Sequence, residues 1–455
     1  MPTIALSMIV KNGASTIRAC LESVCGVVDQ IVIADTGCTD QTCDIAREFG
    51  AVLVPFPWEN HFANARNAAL KPVTADWVLV LDADEELDED ARKRIPDLLK
   101  ASNVGGYITP IRNYVPNKFT RAWDRIAVPN DNRHVRAKDA PAYVVHENCR
   151  FFRRHPEIFF VGRVHEAVEG PIQALGMKLL PAPFFIHHFG QMSSQQHKDD
   201  KALFYRDLLR LKTEEQPNDA LAWIQLGLQE YECLGNAGEA LRCLDRALIL
   251  QPQASDAWIF KSMALLNLGQ PQQALAALGN ARKDGKGAAL REQLCGDAFH
   301  YLEQLPEARA AYREALKLRQ QDPILESKLG FVEVKLGQHK AGIAKLERAA
   351  KAAPALLEVH DRRVKAYVLV KDLNQAAVAS EEFLSHIAHP KLFMRAASIR
   401  AQMQQWDRAA HILASGLEMF PASPELQLAA KEVSAKCSPA SPAQNAQAAS
   451  AGSNT

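Results

Sequence analysis

Four carboxylates fall within five positions at Asp82-Ala83-Asp84-Glu85-Glu86. On an extended strand end, side chains two apart share a side, so Asp82 and Asp84 could hold one divalent cation between them. The same residues also suit a solvated acidic turn that opens a helix at Asp88. What precedes them favours the metal reading: Trp77 to Leu81 is apolar throughout, as in a parallel strand covered on both faces. Ligands of open α/β sheets gather at the carboxyl ends of such strands, and cations there neutralise a diphosphate leaving group.

The elements that must position this cluster are legible as alternating apolar and amphipathic runs. Strands are expected at Thr3–Val10, Gln30–Asp35, Ala51–Pro55 and Trp77–Leu81, with helices at Ser15–Val24, Asp40–Phe49 and Phe62–Leu70. This is the pattern of a mostly parallel, Rossmann-like sheet with crossover helices, and it puts Asp35 and Asp82 at strand ends. From Val104 to about His188 the alternation stops. Short strand-like runs (Gly106–Ile111, Ile158–Val161, Pro183–Ile186) lie between polar, basic stretches, as expected of a less regular acceptor-binding half. Basic residues between Arg112 and Arg154 suit either an anionic ligand or a solvated surface.

After about Ser193 the composition turns to Ala, Leu, Gln and Glu, and a period emerges. Ala240, Ala274, Ala308, Gly342, Ala376 and Ala410 each follow the last by 34 residues, the tetratricopeptide spacing. Trp223-x-x-Leu226-Gly227, Trp258, Gly269, Tyr312, Leu329-Gly330, Pro252 and Pro354 fit the same pattern. About six units should stack into an all-α superhelix with a concave groove. The expected boundaries are a catalytic domain over 1–192, a connecting helix over 193–215, repeats over 216–436, and a disordered, Ala- and Ser-rich tail over 437–455.

Composition narrows the function. The 53 basic and 53 acidic residues balance, which speaks against a nucleic-acid grip over the whole surface. Nine cysteines are scattered without paired CxxC units, and Cys38 and Cys43 are expected to be reduced and structural. The first residues read as a strand and not as a signal peptide, and no run approaches the ~18 apolar residues of a membrane span. A cytoplasmic protein is expected, with room for a peripheral visit to a membrane.

The blocks LSMIVKN (6–12), VDQIVIADTGCTDQT (28–42), FANARNAAL (62–70) and DWVLVLDADEEL (76–87), with GRVHE (162–166) and HHFG (187–190) behind them, resemble the inverting glycosyltransferases of family 2. The resemblance covers residues 3–190 and implies a GT-A fold, a nucleotide-diphosphate sugar donor, and a glycan, lipid-linked or peptide/protein acceptor. It implies that Val10, Lys11 and Asn12 line the nucleotide pocket, that Asp35 contacts base or ribose, and that Arg66 faces the nucleotide or its phosphates. Asp82 would bind ribose or a metal-bound water. Asp84 would bind the metal directly, and His188 would complete the site, a donor set suited to Mn or Mg sooner than Ca. Inverting transfer needs a general base; Glu166 is the first candidate, with Asp124 and Glu147 in reserve. Cys38 and Gln41 stand where the family usually has Ser and Gly, which bears on donor preference.

Two functions follow from different classes. One is an enzyme whose repeats recruit or present the acceptor, or bind a protein partner. The other is a repeat adaptor carrying a degenerate transferase domain.

Overall fold

The computed structural model describes residues 2–116, 121–122, 125–190 and 195–437. The chain divides into two compact units, Met1–Arg282 and Lys283–Thr455. The first holds the sheet and the earliest repeat helices.

In chain order the first unit contains β1 (Ile4–Val10), α1 (Ile17–Val24), β2 (Gln30–Asp35), α2 (Thr42–Glu48), β3 (Val52–Pro55), α3 (Phe62–Leu70) and β4 (Trp77–Val80). After these come β5 (Glu85–Leu87), α4 (Ala91–Leu98), β6 (Val104–Val115), β7 (Arg121–Ala122), β8 (Arg125–Ile126), β9 (Val128–Pro129) and β10 (Ala142–Arg153). The domain closes with α5 (Glu169–Ala174), β11 (Lys178–Pro181) and β12 (Ile186–His188). The main sheet runs β3-β2-β1-β4-β10-β6-β12-β5, with β11 on β6 and β9 on β10. The four strands from β3 to β4 are parallel, and β10 is antiparallel to both β4 and β6.

Alternation along the strands sorts the core into two layers. Leu6, Met8, Ile33, Trp77 and Leu79 face Ile17 and Leu21 of α1 and Ile95 of α4. Ala5, Ala34, Val78 and Val80 face Ala63 and Ala69 of α3 and Ile172 of α5. The alanines on this second face let α3 lie close to the sheet, which later matters for Arg66.

Three departures from expectation fall between Val104 and His188. The 12-residue β10 lies centrally in the sheet, although the polar His-Glu-Asn at its middle hides it from a hydrophobicity reading. Residues Ile158–Val161 form no strand; Ile158 and Phe160 are buried, but the backbone makes only an isolated bridge between Val161 and Ala167. The strand expected at Pro183–Ile186 begins at Ile186, and β11 precedes it.

Next come α6 (Gln195–Glu215), α7 (Ala220–Leu228), α8 (Ala237–Leu250), α9 (Ser255–Asn267) and α10 (Pro271–Asn280). The first unit does not break between sheet and repeats. One cluster joins Val164 of the sheet domain, Leu208 and Leu209 of α6, Leu226 of α7 and Cys243 of α8, with Trp58, Phe62 and Tyr205 against it.

The second unit contains α11 (Ala288–Tyr301), α12 (Leu305–Leu318), α13 (Pro323–Lys335), α14 (His339–Ala352), α15 (Leu357–Leu369), α16 (Leu373–Leu384), α17 (Pro390–Gln402), α18 (Trp406–Met419) and α19 (Pro424–Cys437). Ala240, Ala274, Ala308, Gly342 and Ala376 are buried in the first turn of the second helix of their pairs. Ala410 is displaced from that role: Ala409 is fully buried and Ala410 only partly, because the last repeat is one residue short. Cys437, expected in the tail, ends α19; the rest of that tail lies outside the described residues. No described helix is long and apolar enough to cross a membrane.

The period is written in the backbone as well. Gly235, Gly269, Glu303, Gly337, Lys371 and Gln404 all adopt φ between +58° and +80° at the turn between paired helices. Left-handed backbone costs a side-chain-bearing residue about 1–2 kcal/mol, and glycine escapes this. A Cβ at Gly337 would meet nothing within 4 Å, so the cost there is conformational alone. Gly337→Ala is therefore expected to destabilise the Lys283–Thr455 unit by about 1 kcal/mol, and Lys371→Gly to stabilise it by about 0.5–1 kcal/mol. Urea unfolding of both variants checks the pair; an alanine tolerated at 337 without cost would refute the backbone account.

Candidate active site

The carboxylate cluster is neither a solvated turn nor a free acidic patch. Glu85, Glu86 and Asp88 are buried, and α4 starts only after Asp90. Each carboxylate has its own partner. Asp82 Oδ1 accepts from Arg66 Nη2 at 2.8 Å, and its Oδ2 from Arg150 Nη2 at 3.2 Å. Arg150 also donates to Glu85 at 3.0 Å, and the second oxygen of Glu85 accepts the Asp82 backbone N–H at 2.9 Å. Glu86 pairs with Arg136 and His134. Asp88 accepts from His187, whose other ring nitrogen meets the Tyr114 hydroxyl.

Asp84 is left. Among the described residues it meets no arginine or lysine; its Oδ2 lies 3.2 Å from His188 Nε2. The Asn113 amide donates to the carbonyls of Ile111 and Val144, so its oxygen faces His188 Nδ1 at 2.6 Å and requires a proton there. In the neutral ring the Nε2 lone pair then points at a carboxylate oxygen. Two such acceptors could share a cation. Burial would lower the His188 pKa, but Asp84, Glu85 and Asp82 outweigh it and raise the value. Two metal ligands about 2.1 Å from one ion at right angles lie ~3 Å apart, which matches this pair. Gly190 keeps the space open: a Cβ there would lie 2.6 Å from both Asp84 Oδ2 and His188 Nε2.

Arg66 ties this corner to Glu166. Its Nε donates to Glu166 Oε1 while Nη2 holds Asp82, and only 8% of the side chain is exposed. Helix α3 positions both partners. His61 caps its start by accepting from Asn64 N–H, and Asn67 clamps Phe160 through both backbone groups at 2.9 and 2.8 Å. That clamp fixes the loop leading to Glu166.

Val10, Lys11, Asn12, Arg66, Asp82, Asp84, Glu166 and His188 line one cleft of about 1080 Å³. Asn12, at φ 52°, accepts from Thr39 N–H at 2.8 Å, which locks the strand-end turns of β1 and β2 together. Asp35 does not line the cleft; its Oδ1 accepts from the backbone N–H groups of Gly37 and Cys38 at 3.0 and 2.7 Å. Arg66 lines it, with Nε and Nη2 on two carboxylates and Nη1 buried without a hydrogen-bond partner among the described residues. Of the reserve bases, Glu147 is exposed outside the cleft and Asp124 lies outside the described residues. Among the described residues of the basic stretch, Arg112 pairs with Asp131, Arg133 with Asp90, Arg136 with Glu86, and Arg153 and Arg154 donate to backbone carbonyls.

Sequence reasoning missed Asn113, Arg150 and Tyr205. Tyr205 comes from α6, where Phe204-Tyr205 interrupts a charged helix and was the available signal. Burial, with Glu166 and Asp82 nearby, pushes its phenol up, so it stays a neutral donor in the cleft. Trp58, Phe62 and Phe204 gather beside it, with ring centroids 4.9 to 6.4 Å apart.

Residues 6–158 match the family model for glycosyl transferase family 2, and residues 296–337 match that for the TPR repeat. The chain joins a family 2 glycosyltransferase domain to tetratricopeptide repeats. A TPR repeat-containing protein of Synechococcus elongatus is 31% identical over 234 residues, 50% of this chain and 52% of that protein. An uncharacterized glycosyltransferase of Rickettsia felis is 32% identical over 108 residues, 24% of this chain and 38% of its own. The prophage-derived glycosyltransferase SunS of Bacillus subtilis is 22% identical over 54% of this chain and 53% of that one. The chain thus spans about half or less of the curated relatives it matches. Among solved structures, the type IV pilus biogenesis factor PilW aligns over 46% of this chain and 97% of its own, at 20% identity and a TM-score of 0.40.

Charge pairing makes the glycosyltransferase domain's site sensitive to Arg66. Burial would raise the Asp82 carboxyl, but Arg66 and Arg150 outweigh it and hold it below the usual carboxylate range. The resulting stabilisation is present above the unfolded carboxyl pKa and drains away as pH falls below about 4. Arg66→Leu leaves Glu166 without its cationic partner and Asp82 with Arg150 alone, and should cost about 3–5 kcal/mol at neutral pH. Urea unfolding at pH 7 and at pH 3.5 (about half a unit below that range) should show the gap to wild type narrowing in acid; a pH-independent gap would rule out the charge origin.

Proposed function

We propose that this protein is a metal-dependent glycosyltransferase that moves one sugar from a nucleotide-diphosphate sugar to a glycan, lipid-linked or peptide/protein acceptor, with inversion at the anomeric carbon. One observation carries the reading: Asp84 and His188 oppose two acceptor atoms at 3.2 Å, kept accessible by Gly190, in the same cleft as Glu166. A divalent ion held there, Mn or Mg, would neutralise the diphosphate as it leaves.

The chain's own residues divide the remaining work. Val10, Lys11 and Asn12 line the nucleotide pocket in this reading, with Asp35 contacting base or ribose. Asp82, fixed by two arginines, serves as a rigid acceptor for a ribose hydroxyl or ordered water. Glu166 is the general base. Arg66 occupies its Oε1 and fixes the carboxylate, and the other oxygen takes the acceptor's proton as the acceptor attacks the face opposite the diphosphate. Tyr205 contributes a neutral hydroxyl that can orient the acceptor.

The repeats would recruit or present the acceptor, or bind a protein partner. Nine free cysteines favour a reducing compartment, so the proposed setting is the cytoplasm, at a membrane surface when the acceptor is lipid-linked. The adaptor reading is disfavoured by a site whose charged groups are each paired or poised.

Purified full-length protein is expected to turn over a nucleotide-sugar only with Mn or Mg. Asp84→Ala should lower that rate by about 100-fold or more with an unchanged circular dichroism spectrum. Glu166→Gln should depress transfer while preserving thermal stabilisation by nucleotide plus Mn. Wild-type turnover in the Asp84 variant would sink the metal assignment.

A further inference from the structure

A second set of ligand atoms converges at the end of β2, away from Asp84 and His188. One donor atom from each of Asp35, Cys38 and Cys43 lies within 4.8 Å of the other two, and all three residues are half-buried. Asp35 Oδ1 is fixed by the N–H groups of Gly37 and Cys38, both thiols lie within hydrogen-bonding reach of the Asp35 carboxylate, and Cys38 Sγ also faces the Val10 carbonyl at 3.7 Å. Cys38 comes from the turn and Cys43 from the first turn of α2, so the three ligands belong to separate backbone positions around one point.

We propose that Asp35, Cys38 and Cys43 form a binding site for a thiophilic divalent cation, zinc being the ion whose ligand preferences fit. Two sulfurs and a carboxylate make three of the four ligands of a tetrahedral zinc site, with one position left for water or an exogenous ligand. Mg and Ca select oxygen and would leave the sulfurs unused. Binding forms two metal–sulfur bonds, and the two thiol protons leave to solvent; Asp35 is already an anion. No oxidant is required, unlike a disulfide. Burial pushes the Cys38 thiol up to about 12, which makes it a poor nucleophile for oxidation.

The site has a reach beyond its ligands. Cys38 Sγ accepts the Asn12 backbone N–H at 3.3 Å, and the Asn12 side chain holds Thr39. A bound ion therefore staples the turn that forms the back of the Lys11–Asn12 wall. This assignment stands on ligand geometry and does not depend on the transferase reading.

Titration of the reduced, full-length protein with Co²⁺ tests it, since sulfur ligation gives an intense thiolate-to-cobalt charge-transfer band that an Asp–His site lacks. The expected result is such a band, displaced by Zn²⁺, retained in Asp84→Ala, and lost in Cys38→Ser and in Cys43→Ser. Asp35→Asn should weaken zinc affinity about tenfold or more. Absence of the band in the wild-type protein overturns the proposal without any variant. So does a band that survives both cysteine substitutions, which would place the metal on other thiols.

Discussion

The site depends on one buried guanidinium. Arg66 sits between Asp82 and Glu166, and Arg150 holds the far side of Asp82 together with Glu85. Two like charges 4 Å apart near a protein surface repel by about 4 kcal/mol, and this strand end concentrates several. The two arginines offset that repulsion, each bridging two carboxylates and together holding the Asp82 carboxyl below its usual range, and Asp84 remains as the carboxylate left to face an imidazole. The cluster's usefulness comes from how unevenly its members are compensated.

That unevenness was invisible in the sequence. The strands and helices through Leu81 were legible because buried parallel strands are apolar on both faces and Gly, Pro and Asp punctuate them. The positions of Asp82 and Asp84 followed, whereas His188, beyond the regular alternation, came only with the family resemblance. Arg150 did not, because β10 carries His146, Asn148 and Arg150 into the cleft, and polar inward positions erase the alternation that announces a strand. Asp35 shows the converse limit. A strand-end aspartate reads as a ligand-binding residue, yet the turn it caps claims one of its oxygens and two cysteines crowd the carboxylate. Side-chain competition of this kind is set by three-dimensional neighbours that no spacing rule reports.

The repeats were legible for a different reason. Their period is imposed twice, once by small residues where paired helices touch and once by a left-handed turn that the backbone repeats even where glycine has been lost. Redundancy of that kind survives sequence drift. It also localises the departure in the last repeat, where the buried alanine and the left-handed residue both arrive one position early.

The first domain was expected to end near residue 192, with a connecting helix over 193–215 before the repeats, and α6 occupies that stretch as Gln195–Glu215. The cluster of Val164, Leu208, Leu209, Leu226 and Cys243 spans sheet domain, α6 and the first helix pair, and α6 sends Tyr205 into the cleft. Evolution therefore cannot treat this chain as two interchangeable cassettes joined at a linker. A recombination event between sheet and repeats would cut through a shared core and take one wall of the cleft with it. Duplication, loss or exchange of repeats is neutral for that core only beyond the first pair, so the array can diversify from its distal end while its proximal end is inherited with the chemistry.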